Sequence, residues 1–467
     1  MAKTRSKLGD SRLERVHGLL IYAMSQKMSV VLCRLAKDRA EEIAFGRFIN
    51  NSKVTPKQIV EQYHHVSPLD FSGKHVLVVQ DGSSATFGLN ANRGNVGYVG
   101  HNTNKSGFNL HPSIYMDAKD GACYGLGSLE LWKTTIAKTD EEQAERNRNR
   151  SKTPFKDKET YKWYSVTEQA IKNNASADNY TIVGHRGADI YDLFALYQSN
   201  NWDFVIRSAR NRRLSDESEI DKTPSVQMLY STIDTWQLQH TYELDLPKTD
   251  KRSAHTAKLG LKFGTVHIPK PQYHPDATLP DAITLQVIEV KEFEQTVVGK
   301  EKPVHWRIFT SHPVQNVEQA MTIIKWYRWR WVIEQVFRTL KTKGLNIEKS
   351  EVETYEALVN LVTLALLAAV QVLQLVRARE GQTQQKAETV FSKEELDCLR
   401  LLNQKLEGNT TKTKNPHPIN SLAFSAWVIA RLGGWKGYKK SRPPGPITML
   451  RGIIRFYDVL EGYYLLL

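Results

Sequence analysis

Two carboxylates in this sequence stand where an acid can do chemistry. Asp81 ends the run Lys74-His75-Val76-Leu77-Val78-Val79-Gln80 and is followed by Gly82, Ser83 and Ser84. A continuous apolar run of that length predicts a fully buried strand, and an acid at its C-terminal end with small residues after it is placed to face a cleft. Asp before Gly is equally a common turn pair. Glu334 lies in Tyr327-Arg-Trp-Arg-Trp-Val-Ile-Glu-Gln-Val-Phe-Arg-Thr-Leu-Lys341, a stretch without Gly or Pro. Its apolar residues, Trp329, Val332, Ile333, Val336, Phe337 and Leu340, recur at helical spacing. Arg330 is one turn before Glu334, Arg338 one turn after, and Lys341 follows. A carboxylate among cations is a metal ligand or a structural ion pair, and spacing alone favours the ion pair.

These acids need elements to hold them. Phe108–Met116 and Cys123–Trp132 predict two more strands around an Asp117–Gly121 turn, completing a three-strand meander. Residues 138–161 are charged and Pro-interrupted and predict a mobile loop. Trp163–Ile171 predicts a helix. A strand over Tyr180–Gly184 leads through His185, Arg186, Gly187 and Ala188 to a helix. Asp189 is expected in that helix's first turn, pointing at a backbone or Arg partner. Trp202–Arg207 predicts a strand running into Arg207, Arg210, Arg212 and Arg213, a cluster able to track phosphates or simply to sit solvated in a loop. From about 214 to 305 the text is β-like, with strands over 265–268, 282–290 and 304–310. Trp306 alone would be a core-packed strand Trp. A helix through Ile324 then precedes the Glu334 stretch.

The 467 residues suffice for two to four domains and ample core. Lys plus Arg is 64 against 50 Asp plus Glu, a net +14 that favours a polyanion partner, nucleic acid first and an anionic membrane second. Cys33, Cys123 and Cys398 are too few and too scattered for a disulfide framework or a Cys-rich zinc pattern, which fits a reducing compartment. The N-terminus lacks a signal-peptide apolar run. Residues 357–376 are apolar enough to span a membrane but carry Asn360, Gln371 and Gln374, and predict a buried helix.

Residues 1–70 predict helices: one capped by Asp10 or Ser11 and running through Met24 with Arg12 and Arg15 on it, one from Val30 into Phe45, and one from Thr55-Pro56. A small basic helical unit suits DNA binding or a plain helical cap. Toward the C-terminus, Glu351–Arg377 predicts the long helix, Asn409–His417 a polar loop, and Leu422–Leu432 a helix closed by Gly433-Gly434. An aromatic and Leu-rich tail follows Pro443-Pro444-Gly445-Pro446.

Tyr327, Arg330, Glu334 and Lys341 at these offsets resemble the signature of bacterial DDE-type cut-and-paste transposases, in the insertion-sequence class that includes the transposon five enzyme. Strand-terminal Asp81, Arg186-Gly187-Ala188-Asp189-Ile190, Trp306, Gly9-Asp10-Ser11-Arg12, Arg47-Phe48-Ile49 and Ile429–Gly434 also resemble that family, in its order. The resemblance implies an α/β fold. A ribonuclease-H-like catalytic core (71–349) carries a β-insertion at about 210–305. It is flanked by a helical DNA-binding domain (1–70) and a helical dimerisation domain (350–467).

It further implies a metal-dependent DNA transposase. Water cleaves the transposon end, the freed 3′-hydroxyl forms a hairpin that water reopens, and the 3′-hydroxyl then joins target DNA. The family's three acidic positions fall on Asp81, His185 and Glu334, serving Mg²⁺ with Mn²⁺ as substitute. Tyr327, Arg330 and Lys341 would hold phosphates, with Arg12, Arg15, Arg207, Arg210 and Arg338 also on DNA and Trp306 stacked on a flipped base. The partners implied are double-stranded transposon ends and target DNA. A homodimer forms in the DNA complex, no membrane is involved, and the setting is the bacterial cytoplasm near the nucleoid.

His185 departs from the family's Asp. Imidazole is neutral when it ligates and offers one nitrogen, whereas a carboxylate brings charge and can bridge two ions. His suits Zn²⁺, Cu²⁺ or Ni²⁺ better, and can pass for Mn²⁺. Two readings of function stand side by side, an active transposase and a catalytically silent end-binding protein. A nuclease of the same fold without strand transfer is a weaker third.

Overall fold

A strand of six residues with every position after the first buried needs cover on both faces, and β1 (His75–Gln80) is such a strand. The computed structural model describes residues 7–87, 96–99, 102–134, 139–149, 152–215, 227–249, 252–342, 344–438 and 443–464. Helices α1 (Ser11–Lys27), α2 (Leu32–Leu35), α3 (Arg39–Ile49) and α4 (Pro56–Val66) precede β1. After it come β2 (Ser83–Phe87), β3 (Tyr98–Val99), β4 (Asn102–Asp117), β5 (Cys123–Trp132), α5 (Asp140–Asn149) and α6 (Lys162–Asn173). Then follow β6 (Asn179–Gly184), α7 (Tyr191–Ser199), β7 (Asp203–Arg207), α8 (Leu229–Thr235), β8 (His240–Leu246), β9 (His255–Pro269), β10 (Ala282–Glu292) and β11 (His305–Thr310). The chain finishes with α9 (Val317–Trp329), α10 (Trp331–Lys341), α11 (Tyr355–Ala378), α12 (Lys393–Leu406), α13 (Leu422–Leu432) and α14 (Pro446–Tyr464).

The chain divides into two compact units that do not follow its linear order. The first comprises Met1–Ile136, Glu168–Asp178 and Trp331–Leu467, and the second Ala137–Thr167 and Asn179–Arg330. The N-terminal helices, the first strands and the C-terminal helices therefore share one unit.

In the first unit, the long strand β4 pairs antiparallel with β1, β2 and β5, so the expected meander of β1, β4 and β5 is present. The apolar helix α11, capped by Thr354, packs against α1, α4, α10, α13, α14 and β5. Among the described residues it is the one helix long and apolar enough to cross a membrane, yet 94% of its most apolar window is buried inside the protein. Its polar Asn360 is 1% exposed, and its Nδ2 donates to the carbonyls of Ile49 and Val54 at 3.0 Å each. Asn360→Ala strands those two carbonyls in the core. It is expected to cost about 1–3 kcal/mol, read as a lower denaturant midpoint at unchanged slope; a loss near zero would mean water replaces the amide.

The second unit holds a sheet in the order β6-β7-β11-β10-β9-β8. β6 and β7 are parallel and the other pairs antiparallel. Phe194 of α7 stacks on Phe204 of β7 at 5.0 Å and meets Phe309 of β11 edge-on at 5.7 Å, which fixes the helix on the sheet.

Several expectations need correction. The helix expected from Val30 to Phe45 is two, because Asp38 accepts from the Glu41 N–H and starts α3 anew after an extended Ala36. Residues 138–161, expected as a loop, contain α5, whose acidic first turn, Asp140, Glu141 and Glu142, suits the helix dipole. The span 214–305 also contains the helix α8 and the unexpected strand β8, and β9 and β10 run longer than the strands expected over 265–268 and 282–290. Residues 216–226, 250 and 251 of that span, and 138, 150 and 151 of the expected loop, lie outside the described residues. The continuous helix expected over 327–341 breaks at Arg330, whose N–H turns to the carbonyl of Tyr327, a tightening to i→i−3 pairing.

Candidate active site

Asp81 sits one residue past β1, buried to 7% exposure, and its Oδ1 accepts the Gly82 N–H at 2.8 Å. The short reach back to its own neighbour leaves the carboxyl set by the turn that ends the strand. Next to it, buried Gln80 is fixed by His111 of β4 at 3.1 Å. Glu334 lies half-buried in the first turn of α10. The last turn of the same helix returns to the strand end: Lys341 Nζ donates to Ser83 Oγ at 2.8 Å, two residues past Asp81. Glu348 adds a second tie, accepting the Thr86 N–H at 3.0 Å and its hydroxyl at 2.8 Å. Burial lowers the Lys341 ammonium from its ordinary range, with the Glu348 charge opposing. A cation held there at a desolvation cost gains more from an arriving anion than a solvated one does. Arg338 is exposed on α10. At the N-terminal end of this unit, Arg12 and Arg15 are exposed on α1, and Arg12 pairs with the helix cap Asp10.

The second unit carries the other expected residues. Trp306 is half-buried at the start of β11, not fully packed in the core, and meets Tyr327 edge-on at 5.8 Å. Tyr327 is 2% exposed, and the Arg330 guanidinium lies 5.8 Å from its ring. Trp306, Tyr327 and Arg330 are thus brought together. Arg207 donates to the His305 carbonyl at 2.7 Å, and Arg210 is exposed just beyond β7.

The arginine cluster after β7 is not uniform. Arg212 Nε donates to Asp189 Oδ1 at 3.0 Å and its Nη2 to the Asp189 carbonyl at 2.9 Å, while the Ala209 N–H donates to Asp189 Oδ2 at 2.7 Å. Asp189 therefore has an Arg and a backbone partner, as its sequence position suggested. It stands at the end of a 3₁₀ turn over Arg186–Ala188 and before α7, not inside the helix. Arg212 is taken up holding the chain rather than facing outward.

His185 is the N-cap of that 3₁₀ turn. The Gly187 N–H donates to its Nδ1 at 2.6 Å. The ring meets Trp163 at 5.0 Å and 87°. Because a backbone N–H can only donate, Nδ1 is unprotonated and its lone pair is engaged; the neutral ring then carries its proton on Nε2. His185 as it sits does not fit the family's hard cations as a ligand. A ring with one lone pair, already used, supplies no ligand and no charge. Among the described residues, no group of three or more His, Cys, Asp or Glu side chains gathers in a way that could hold a metal ion.

Sequence reasoning missed Ser83, Glu348, Trp163, and the Glu289 cluster beside Trp306. Glu289 accepts from His305 at 2.7 Å and from Arg307 at 2.9 Å, and Arg307 lies 3.8 Å over the Tyr230 ring. Burial works to raise the Glu289 carboxyl, but the His305 hydrogen bond and the Arg307 charge outweigh it and hold it below its ordinary 4.5. A carboxylate depressed by folding stabilises above its unfolded value and loses that contribution as pH falls through its folded one. The Tm gap between this chain and Glu289→Gln is expected to hold near neutrality and narrow below 4.5. A gap that stays constant through the acid range would remove this cluster as a source of acid sensitivity.

Residues 157–371 match the family model for the transposase DDE domain. The match includes His185, Trp306, Tyr327, Arg330 and Glu334, and begins beyond Asp81. It supports a DDE-type transposase family, whose members cleave and transfer DNA and generally use divalent metal ions. The α/β architecture, with helices and mixed strand pairing, is compatible with a ribonuclease-H-like transposase core.

Proposed function

We propose that this chain binds the terminal repeats of a DNA transposon as a transposase of the insertion-sequence class with the Tyr-Arg-Glu-Lys signature. The observation that carries this reading is the Lys341–Ser83 hydrogen bond, which ties the helix bearing Glu334 to the turn bearing Asp81. Lys341, Arg330, Arg338 and Tyr327 grip phosphates of the end, and Arg207 and Arg210 also contact the DNA. Trp306 offers its half-exposed face to an unstacked base. Residues 1–70, with Arg12 and Arg15, read the repeat, residues 71–349 form the catalytic core, and residues 350–467 pair two protomers on DNA. Such a protein works in the bacterial cytoplasm at the nucleoid.

A second reading is favoured by one contact. With Gly187 engaging His185 Nδ1, the chain as written holds ends without cutting them. Ancestry and grip are common to both readings; only the chemistry differs.

Binding of a terminal-repeat duplex against a scrambled duplex, at two salt concentrations, tests the grip. Trp306→Ala is expected to weaken repeat binding by about 1–3 kcal/mol, the usual worth of a stacked base. Lys341→Ala is expected to weaken both duplexes and to lower the salt slope by about 1. If the repeat binds no better than the scrambled duplex, specific end recognition is wrong.

A further inference from the structure

We infer that His185 and Gly187 form a built cap that turns position 185 from a cation-ligating position into a hydrogen-bond donor. The inference deepens the second reading of the proposed function, but its tests stand on the cap alone.

The argument starts from the ring. A neutral imidazole has one lone pair, and here it accepts the Gly187 N–H at 2.6 Å. To ligate a cation through Nε2, the ring would have to carry its proton on Nδ1, pointing at a backbone N–H that also only donates. Two donors facing each other would break the cap. Trp163 stands edge-on at 5.0 Å and limits rotation out of this state. A carboxylate at 185 escapes the conflict, because one oxygen can accept from Gly187 while the other ligates.

Gly187 is the ring's counterpart. A Cβ there would lie 2.5 Å from His185 Cε1, closer than such atoms approach, and a tight 3.2 Å from both its Nδ1 and Trp163 Cζ2. The imidazole as it sits is the main reason for glycine at 187. With a shorter carboxylate at 185 that contact goes and only the milder one with Trp163 remains, so the two positions act as a pair.

Two measurements on the full chain test this. In ¹⁵N-histidine spectra, His185 is expected in the Nε2–H form; an Nδ1–H signal overturns the cap. In Mn²⁺ titrations, His185→Asp is expected to bind at least tenfold more tightly than either this chain or His185→Ala. If this chain binds Mn²⁺ as tightly as His185→Asp, and His185→Ala loses that binding, the ring is a ligand and the inference fails. Neither readout uses DNA, so failure of repeat binding would sink the proposed function and leave the cap to be decided by these two results.

As a check on the pairing, Gly187→Ala is expected to lower Tm in this chain and to do so less in His185→Asp. Equal losses in both backgrounds mean that the ring is not what position 187 accommodates.

Discussion

His185→Asp is expected to raise Mg²⁺- or Mn²⁺-dependent cleavage of terminal-repeat DNA by on the order of 10³-fold over the chain as written. The size follows from what the change restores. A carboxylate adds a negative charge and a second donor oxygen where the imidazole offers neither, and charge stabilisation by a correctly held cation is among the largest contributions to phosphoryl chemistry. The replacement also keeps the cap, because Asp is among the best N-cap residues and its oxygen can take the Gly187 N–H that Nδ1 now accepts. Stability should therefore change little while cleavage changes greatly. Gel assays on a labelled end, with His185→Ala as control, decide the matter. Equal cutting by this chain and His185→Asp would show that position 185 does not limit the reaction; cutting by neither would place the deficit elsewhere, with Asp81 and Glu334 the next residues to examine.

Asp189→Ala is expected to destabilise the chain by about 3–5 kcal/mol, the cost of removing one partner of a buried ion pair. The Asp189 side chain is fully buried and that of Arg212 is 14% exposed. Without the carboxylate, Arg212 keeps its charge inside the protein with its main partner gone, and the Ala209 N–H loses its acceptor. The change should appear as a lower denaturant midpoint, and Asp189→Asn, which keeps one acceptor oxygen, should fall between. A loss below about 1 kcal/mol would mean that water reaches the pair and that it contributes little. Because Asp189 is consumed by this pair, neither substitution should alter Mn²⁺ binding, which separates it from the neighbouring position 185.

Much of the framework was legible before any coordinates. The apolar run ending at Gln80, the alternation over β4 and β5, and α13 between its cap and Gly433 follow from local patterns that tertiary packing only reinforces. The breaks were less legible. Arg330 keeps helical dihedrals, φ −52 and ψ −32, so no breaker residue announces the end of α9. The division of 30–49 into α2 and α3 depends on Asp38 acting as a cap, one of several polar residues there. The helix α5 was hidden by the charge and prolines around it, although its own ten residues contain neither Gly nor Pro.

The sequence alone determined which residue types stand at each chemical position: Asp81, Glu334, Lys341, and a histidine where the family resemblance expects an acid. Residue type and periodicity are carried by the chain itself and need no partner to be read. Only the tertiary structure decided what those residues do to one another. Ser83 receives Lys341 from 258 positions away, a pairing no local pattern encodes. Arg212, one of a row of apparently equivalent arginines, is withdrawn to hold Asp189. The Gly187 N–H fixes which nitrogen of His185 carries the proton, two residues distant but settled by the turn geometry. Hydrogen bonding is directional, and direction exists only once the backbone has been placed.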